Sequence, residues 1–277
     1  MAETLSMRQR CAGQSVIENL VRHQADMPRR SSLARLLGRS PLNADATTWY
    51  LDAQGEIAMG RILDLLPSDW TVLHALPAGM GALDIDHLVI GPCGIFTVNT
   101  KHHHDKDVWV AKSTVVIDGE MHNYIPAAEV EAQRVSAIVE ERMPLPAPVQ
   151  PVIAFIDPKQ VTIRERPTQV KVVDAWQLRR WLTNLAPVLS HAEQDEIVSL
   201  LDNPVTWHAT GPVPILTDAT SSSPQFSSTV GLLAAFELID AEVRSARVRR
   251  GFWKLVGYGS LVVGPIVALP VVLSLVG

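Results

Sequence analysis

Between Asp84 and Lys101 the chain sets two carboxylates, an amide and a lysine at spacings that suit phosphodiester chemistry. Residues 84–90 and 95–101 are rich in β-branched and aromatic side chains, and Gly91-Pro92-Cys93-Gly94 interrupts them. Two strands joined by a tight turn are expected from that pattern. With Pro92 and Cys93 in the turn, Gly91 pairs with Gly94. The same register sets Asp86 across from Asn99, and Asp84 across from Lys101. Side chains alternate along a strand with period two, so all four share a face; a one-residue slip would destroy it. Pro92 cannot take the positive φ of a type I′ turn, which leaves a longer loop open. A carboxylate so placed can hold a divalent cation, and the lysine can stabilise a phosphorane or position the attacking water. The same residues can also form a solvated face with a cross-strand Asp–Lys pair.

Elements on either side must position this hairpin. Residues 54–66 read as an amphipathic helix with Met59, Ile62, Leu63 and Leu66 on its apolar stripe. Glu56 precedes Met59 and Leu63 by three and seven residues, on that same side. A carboxylate there is costly unless something pairs with it. A strand over 70–76 precedes the hairpin. After it come a strand over 108–117, a helix over 127–142, strands over 150–156 and 170–174, and helices near 175–185 and 191–201. Helices flanking a central sheet make an α/β fold.

Gly55-Glu56, Ile85-Asp86-His87-Leu88-Val89, Gly94-Ile95-Phe96 and Thr100-Lys101 together resemble the NERD (nuclease-related) domain, a branch of the PD-(D/E)XK nuclease-like superfamily. The resemblance covers about residues 49–145, and Ala12-Gly-Gln-Ser15 is similar to the opening of actinobacterial members. It implies a mixed sheet flanked by helices, with Glu56 as the first-helix acid, Asp86 as the metal-binding aspartate and Lys101 as the catalytic lysine of the E-x-K element. Mg²⁺, with Mn²⁺ as a substitute, would be held by Asp86 and Glu56, with the Thr100 carbonyl and Asn99 as further ligands. Asn99 stands where that element normally carries glutamate, and an amide offers one neutral oxygen and no charge. Asp84 could replace the lost charge. Two functions are compatible with this pattern. One is a metal-dependent nuclease cleaving DNA or another phosphodiester. The other is a binding or scaffold module that keeps the fold without catalysis.

Charge bears on that choice. The chain carries −5 overall, and residues 50–185 alone carry twelve Lys/Arg against seventeen Asp/Glu. A domain at −5 lacks the cationic surface that non-specific phosphate binding requires. Residues 1–49 are instead Arg-rich, with seven arginines against four acids. Cys11 and Cys93 are the only cysteines, so neither a disulfide framework nor a zinc site is expected. No secretory signal pattern opens the sequence.

His102-His103-His104 lies beside Asp105 and Asp107, but adjacent side chains on a strand point to opposite sides, so the three do not readily share one ion. His87 faces away from Asp86 and suits a hydrogen-bonded core position. Gln133 lies where related nucleases often place a polar helical residue near the site, and equally suits an exposed glutamine. Trp176, Trp181 and Trp207 suit core or linker packing.

The organisation expected is a helical and polar segment over 1–48, with helices at 15–24 and 32–37 and a polar connector at 41–48, and then a nuclease-like domain over 49–202. A linker and basic helix over 203–250 would follow. Residues 255–277 contain no charged side chain. As a helix they would reach about 34 Å, enough to cross the hydrocarbon layer. Arg244, Arg247, Arg249, Arg250 and Lys254 cluster just before them. By the positive-inside rule this predicts a single-pass protein in the cell membrane, contacting the lipid bilayer through this helix, with its N-terminal domain cytoplasmic.

Overall fold

The computed structural model describes residues 6–28, 30–77, 84–144, 148–208 and 229–276, the side chains of residue 208 and of 257–276 excepted. The chain divides into two compact units, one of residues 1–19 with 48–222, the other of 20–47 with 223–277.

The first unit is built on a five-stranded mixed sheet in the order β1-β2-β3-β7-β9. Strands β1 (Thr71–Leu76), β2 (Ile85–Gly91) and β3 (Gly94–His102) are antiparallel neighbours. Strands β7 (Gln150–Ile156) and β9 (Lys171–Asp174) run parallel to β3. The hairpin has the expected register, Gly91↔Gly94 through His87↔Val98. Its turn is only Pro92-Cys93, and Gly94 at φ 126° takes the backbone conformation that the proline refuses.

Helices cover both faces. On one side α3 (Ala44–Leu63) sends Met59, Ile62 and Leu63 against Val89, Phe96, Val98 and Val152, joined by Leu178 and Leu182 of α5 (Ala175–Thr183). On the other, α4 (Tyr124–Glu140) and α6 (His191–Leu201) pack Val135, Val139, Ile197 and Leu201 on Leu73, Leu88, Ile90 and Ile95. Ser190 and Glu193 close a capping box at the start of α6. His87 is fully buried, its Nδ1 2.8 Å from Nδ1 of His74. Burial holds both rings below the usual imidazole range.

Two readings of the sequence need correction. The helix expected from residue 54 starts ten residues earlier, inside the supposed polar connector. Asn43 caps it, its Oδ1 accepting the Ala46 N–H at 2.9 Å, and Ala46, Tyr50 and Ala53 continue its buried face. The strand expected over 108–117 is a hairpin, β4 (Asp107–Ala111) and β5 (Thr114–Ile117), turning at Lys112-Ser113. The turn interrupts the alternation, so Val108 and Val110, and then Val115 and Ile117, all face inward. With β6 (Glu120–His122) and β8 (Gln160–Ile163) it forms a second sheet in the order β6-β5-β4-β8. This sheet buries its valines against Ile125 and Ala128 of α4 and against Ile153 and Phe155 of β7.

The predicted linker opens with a short helix, α7 (Pro204–His208); residues 209–228 lie outside the described residues. The second unit contains α2 (Ser32–Leu36), most of α1 (Gln14–Asp26) and the long α8 (Thr229–Val276). Leu232, Phe236, Val243 and Ala246 of α8 are buried at helical spacing. Among the described residues no helix is long and apolar enough to cross a membrane. The predicted span at 255–277 falls almost wholly on side chains outside the described set.

Gly55 lets α3 approach β3: a Cβ there would stand 2.8 Å from the His102 Cβ. Both atoms are fixed to regular backbone, so neither can swing aside. Gly55→Ala is therefore expected to destabilise the protein by about 1–3 kcal/mol in denaturant unfolding, despite alanine's better helix propensity.

Candidate metal and catalytic site

The site forms where the β2 ladders stop. Pairing with β1 holds at Leu73↔Leu88 and His74↔His87 and again at Leu76↔Ile85, skipping Ala75 and Asp86. Ala75 sits at φ 49°, a left-handed backbone that costs a residue with a Cβ roughly 1–2 kcal/mol. Pairing with β3 ends at His87↔Val98. Asp86 therefore has no strand partner on either side. Its carboxylate instead accepts the Thr100 N–H at 2.7 Å.

Around it lies a cleft of about 250 Å³ lined by Ser15, Asp52, Glu56, Asp84, Asp86 and Lys101, among others. Two larger grooves, of about 590 and 550 Å³, lack this convergence of acids with a lysine. Gln133 is exposed and lines the second of these, so it is not part of the cleft.

The structure brings Glu56, Asp86, Asn99, Thr100 and Lys101 together, while Asp84 and Lys101 line the same cleft with different partners. Asp84 accepts a hydrogen bond from the Ser15 hydroxyl and lies 3.9 Å from the Arg10 guanidinium. The Lys101 ammonium sits 4.8 Å above the Tyr124 ring. The cross-strand Asp–Lys pair does not form because the hairpin register ends before reaching it. The histidine triplet splits as strand alternation requires. His102 meets the Leu51 carbonyl of α3, and His103 meets the Tyr124 hydroxyl of α4.

Two acids were missed by the sequence reading, Asp52 of α3 in the cleft lining and Glu131. Glu131 of α4 accepts a hydrogen bond from Asn99 Nδ2 at 2.8 Å. It lies beside the buried stripe Ala128, Ala132 and Val135, so a carboxylate on an apolar helix face would have revealed it, as it did Glu56.

Four carboxyls in this space resist ionisation, Asp52 among them through burial. Burial pushes Asp86 up to about 6, although Lys101 and the Thr100 N–H hold it back. Burial, then repulsion from Asp86, pushes Glu131 up to about 7. Glu56 rises well above the usual carboxylate range, first through burial and then through Asp86 and Asp52. Lys101 and the Gly13 N–H oppose that rise.

Among the described residues no three His, Cys, Asp or Glu side chains converge closely enough to hold a metal ion as they stand. The donor chemistry nevertheless fits a hard divalent cation. Asn99 Oδ1 and Glu131 Oε2 are both buried acceptors without a donor, and they belong to side chains already bonded to each other. Unpaired buried oxygens are costly, and a cation is one way to satisfy them.

Residues 51–156 match the family model of NERD, the nuclease-related domain. That segment runs from α3 to the end of β7 and contains Glu56, Asp86, Asn99, Thr100, Lys101 and Glu131. No curated protein and no solved structure matches this chain.

The raised Glu131 pKa makes stability depend on pH. Below about 4.5 the carboxyl is protonated in both folded and unfolded chains, and burial costs nothing through ionisation. As pH rises from there to about 7 the unfolded chain releases its proton first, so stability falls. Glu131→Gln removes this cost while retaining an oxygen for Asn99. The variant should be about 1–3 kcal/mol more stable than wild type at alkaline pH, a gap that closes under acid, read by denaturant titration in chelator.

Proposed function

We propose that this protein is a metal-dependent phosphodiesterase acting on DNA, in which Glu131 supplies the negative charge that Asn99 withholds. The observation that carries this reading is the Asn99–Glu131 hydrogen bond, with an unpartnered oxygen left on each side chain. Asp86, Glu131 and Asn99 Oδ1 would hold Mg²⁺ or Mn²⁺, with Glu56 and the Thr100 carbonyl as further donors. When bound, such an ion stabilises charge on a phosphoryl oxygen and acidifies bound water. Lys101, steadied by the Tyr124 ring, offers its ammonium to the developing phosphorane. The Thr100 N–H orients Asp86.

A second reading is a nuclease-like binding module without catalysis. It is favoured by the absence of a preformed three-ligand cluster among the described residues and by the −5 charge of residues 50–185. Incubation with Mg²⁺ or Mn²⁺ on linear, circular and single-stranded DNA separates the two. The first reading expects metal-dependent cleavage, abolished by Asp86→Ala and lowered on the order of tenfold or more by Glu131→Gln. Cleavage absent from wild type under every condition would leave the binding module.

Asn99→Glu tests the geometry independently of turnover. The substitution removes the amide donor to Glu131 and sets another carboxylate beside it. It should lower the melting temperature in chelator, and Mn²⁺ should restore most of the loss. A melting temperature unchanged in both conditions would rule out the proposed ligand set.

We further propose that residues 255–277 anchor the chain in the cell membrane with the nuclease-like domain on the cytoplasmic side. Their freedom from charge and the basic cluster at 244–254 support this. Full-length protein should float with membranes and resist carbonate extraction, and recovery in the supernatant without detergent would refute the anchor.

A further inference from the structure

Within the second unit, α2 is a five-residue helix that buries none of its own side chains. So short a helix has no stability of its own. It is held from outside, by α8. The Arg249 guanidinium donates to the Arg35 carbonyl at 3.1 Å, Arg250 Nε to the Gly38 carbonyl at 3.3 Å, and the Trp253 indole to the Leu36 carbonyl at 2.9 Å. The Trp253 bond reaches a carbonyl in the last turn of α2, while the arginines add to Arg35, which already accepts the Gly38 N–H, and to Gly38 just beyond the helix. The fit is close. Gly38, at φ 68°, has no room for a Cβ, which would lie 2.4 Å from the Arg250 nitrogen.

The docking fixes α2 with its apolar residues outward. Leu33 and Leu36 are 64% and 57% exposed, and Leu37 is exposed as well. On α8, Phe252 and Leu255 are also exposed, at 59% and 73%. An isolated exposed leucine means little, but three exposed leucines within five residues mark a contact surface. The charge around it is mainly positive, with Glu242 of α8 taken up in an ion pair with Arg30. Residues 27–44 carry four arginines and no acid, and residues 243–277 carry five cations and no acid. Arg35, Arg39, Arg249, Arg250 and Lys254 are all exposed. Immediately beyond them begins the stretch without charge.

We propose that the α2 turn is a membrane-interface wedge. Leu33, Leu36 and Leu37 enter the headgroup layer of an anionic bilayer beside the point where α8 meets it. The surrounding arginines and Lys254 lie at the lipid phosphates, and the Trp253 indole sits at the interface with its N–H already satisfied. Apolar side chains flanked by cations on a short amphipathic element are what such a surface binds. This rests on reading residues 255–277 as a membrane anchor, but it adds a second contact far away in sequence.

The test uses the full-length chain with Cys11→Ala, Cys93→Ala and Leu36→Cys, labelled at the new thiol with an environment-sensitive fluorophore. It is reconstituted into phosphatidylcholine vesicles with and without phosphatidylserine, some carrying a nitroxide on a shallow acyl position. The expected result is co-flotation, a blue-shifted emission and loss of most of it to the nitroxide, strongest with phosphatidylserine. Adding Gly38→Ala should undock α2 and restore the emission while flotation persists. Flotation with an unquenched, unshifted label overturns the wedge and leaves the anchor standing. A blue shift without quenching also overturns it, since the face is then covered by protein such as a second copy of the chain. Failure to float with either vesicle overturns wedge and anchor together.

Discussion

The bond from the Thr100 N–H to the Asp86 carboxylate is the contact on which the site depends. It forms because β2 loses its registered partners at Asp86 on both sides, with Ala75 in a left-handed conformation on one and the hairpin ladder ended on the other. A sheet that stayed zipped would have offered the cleft a main-chain edge. Opening it there lets a side chain take the place of a strand partner. The opening also brings α3, which packs on one face, within reach of Asp86, whose neighbours pack on the other. Glu56 and Glu131 come from helices on opposite faces, yet both feel the Asp86 charge.

Crowding acids in this way costs stability, and the surrounding contacts limit that cost. Lys101 opposes the ionisation penalty at Asp86, Glu56 and Glu131 alike. The Gly13 N–H does so at Glu56, and the Asn99 amide at Glu131. Asn99 thus serves as a donor to the acid on α4. With a carboxylate in its place, Glu131 would face another anion; with the amide, it gains a donor. The amide of Asn99 and the acid on α4 make physical sense as a pair.

The second unit solves a different problem. A short helix with outward leucines is unstable in water by itself, and it persists because α8 supplies donors to its carbonyls and because Gly38 permits close contact. Those donors are arginines and a tryptophan, so the segment that holds α2 is also cationic.

Much of the architecture was legible locally. Apolar alternation broken by Gly91-Pro92-Cys93-Gly94 sufficed for the hairpin and its register, because a one-residue slip would turn every buried side chain to the wrong face. Glu56 stood out because a carboxylate on an apolar helix face needs a reason. The hairpin at Lys112-Ser113 and the early start of α3 at Asn43 were harder, since polar residues serve as turns, caps and connectors alike. Covalent order and side-chain periodicity determined which residues face which way: Asp86, Asn99 and Lys101 to one side, Thr100 and His102 to the other. Only the tertiary structure decided which of them meet. Glu131 reaches Asn99 across 32 positions of sequence, and Asp84 turns to Ser15 and Arg10 while Lys101 turns to Tyr124. Periodicity sets direction within an element, whereas distance between elements depends on how their faces pack, and no local pattern encodes that.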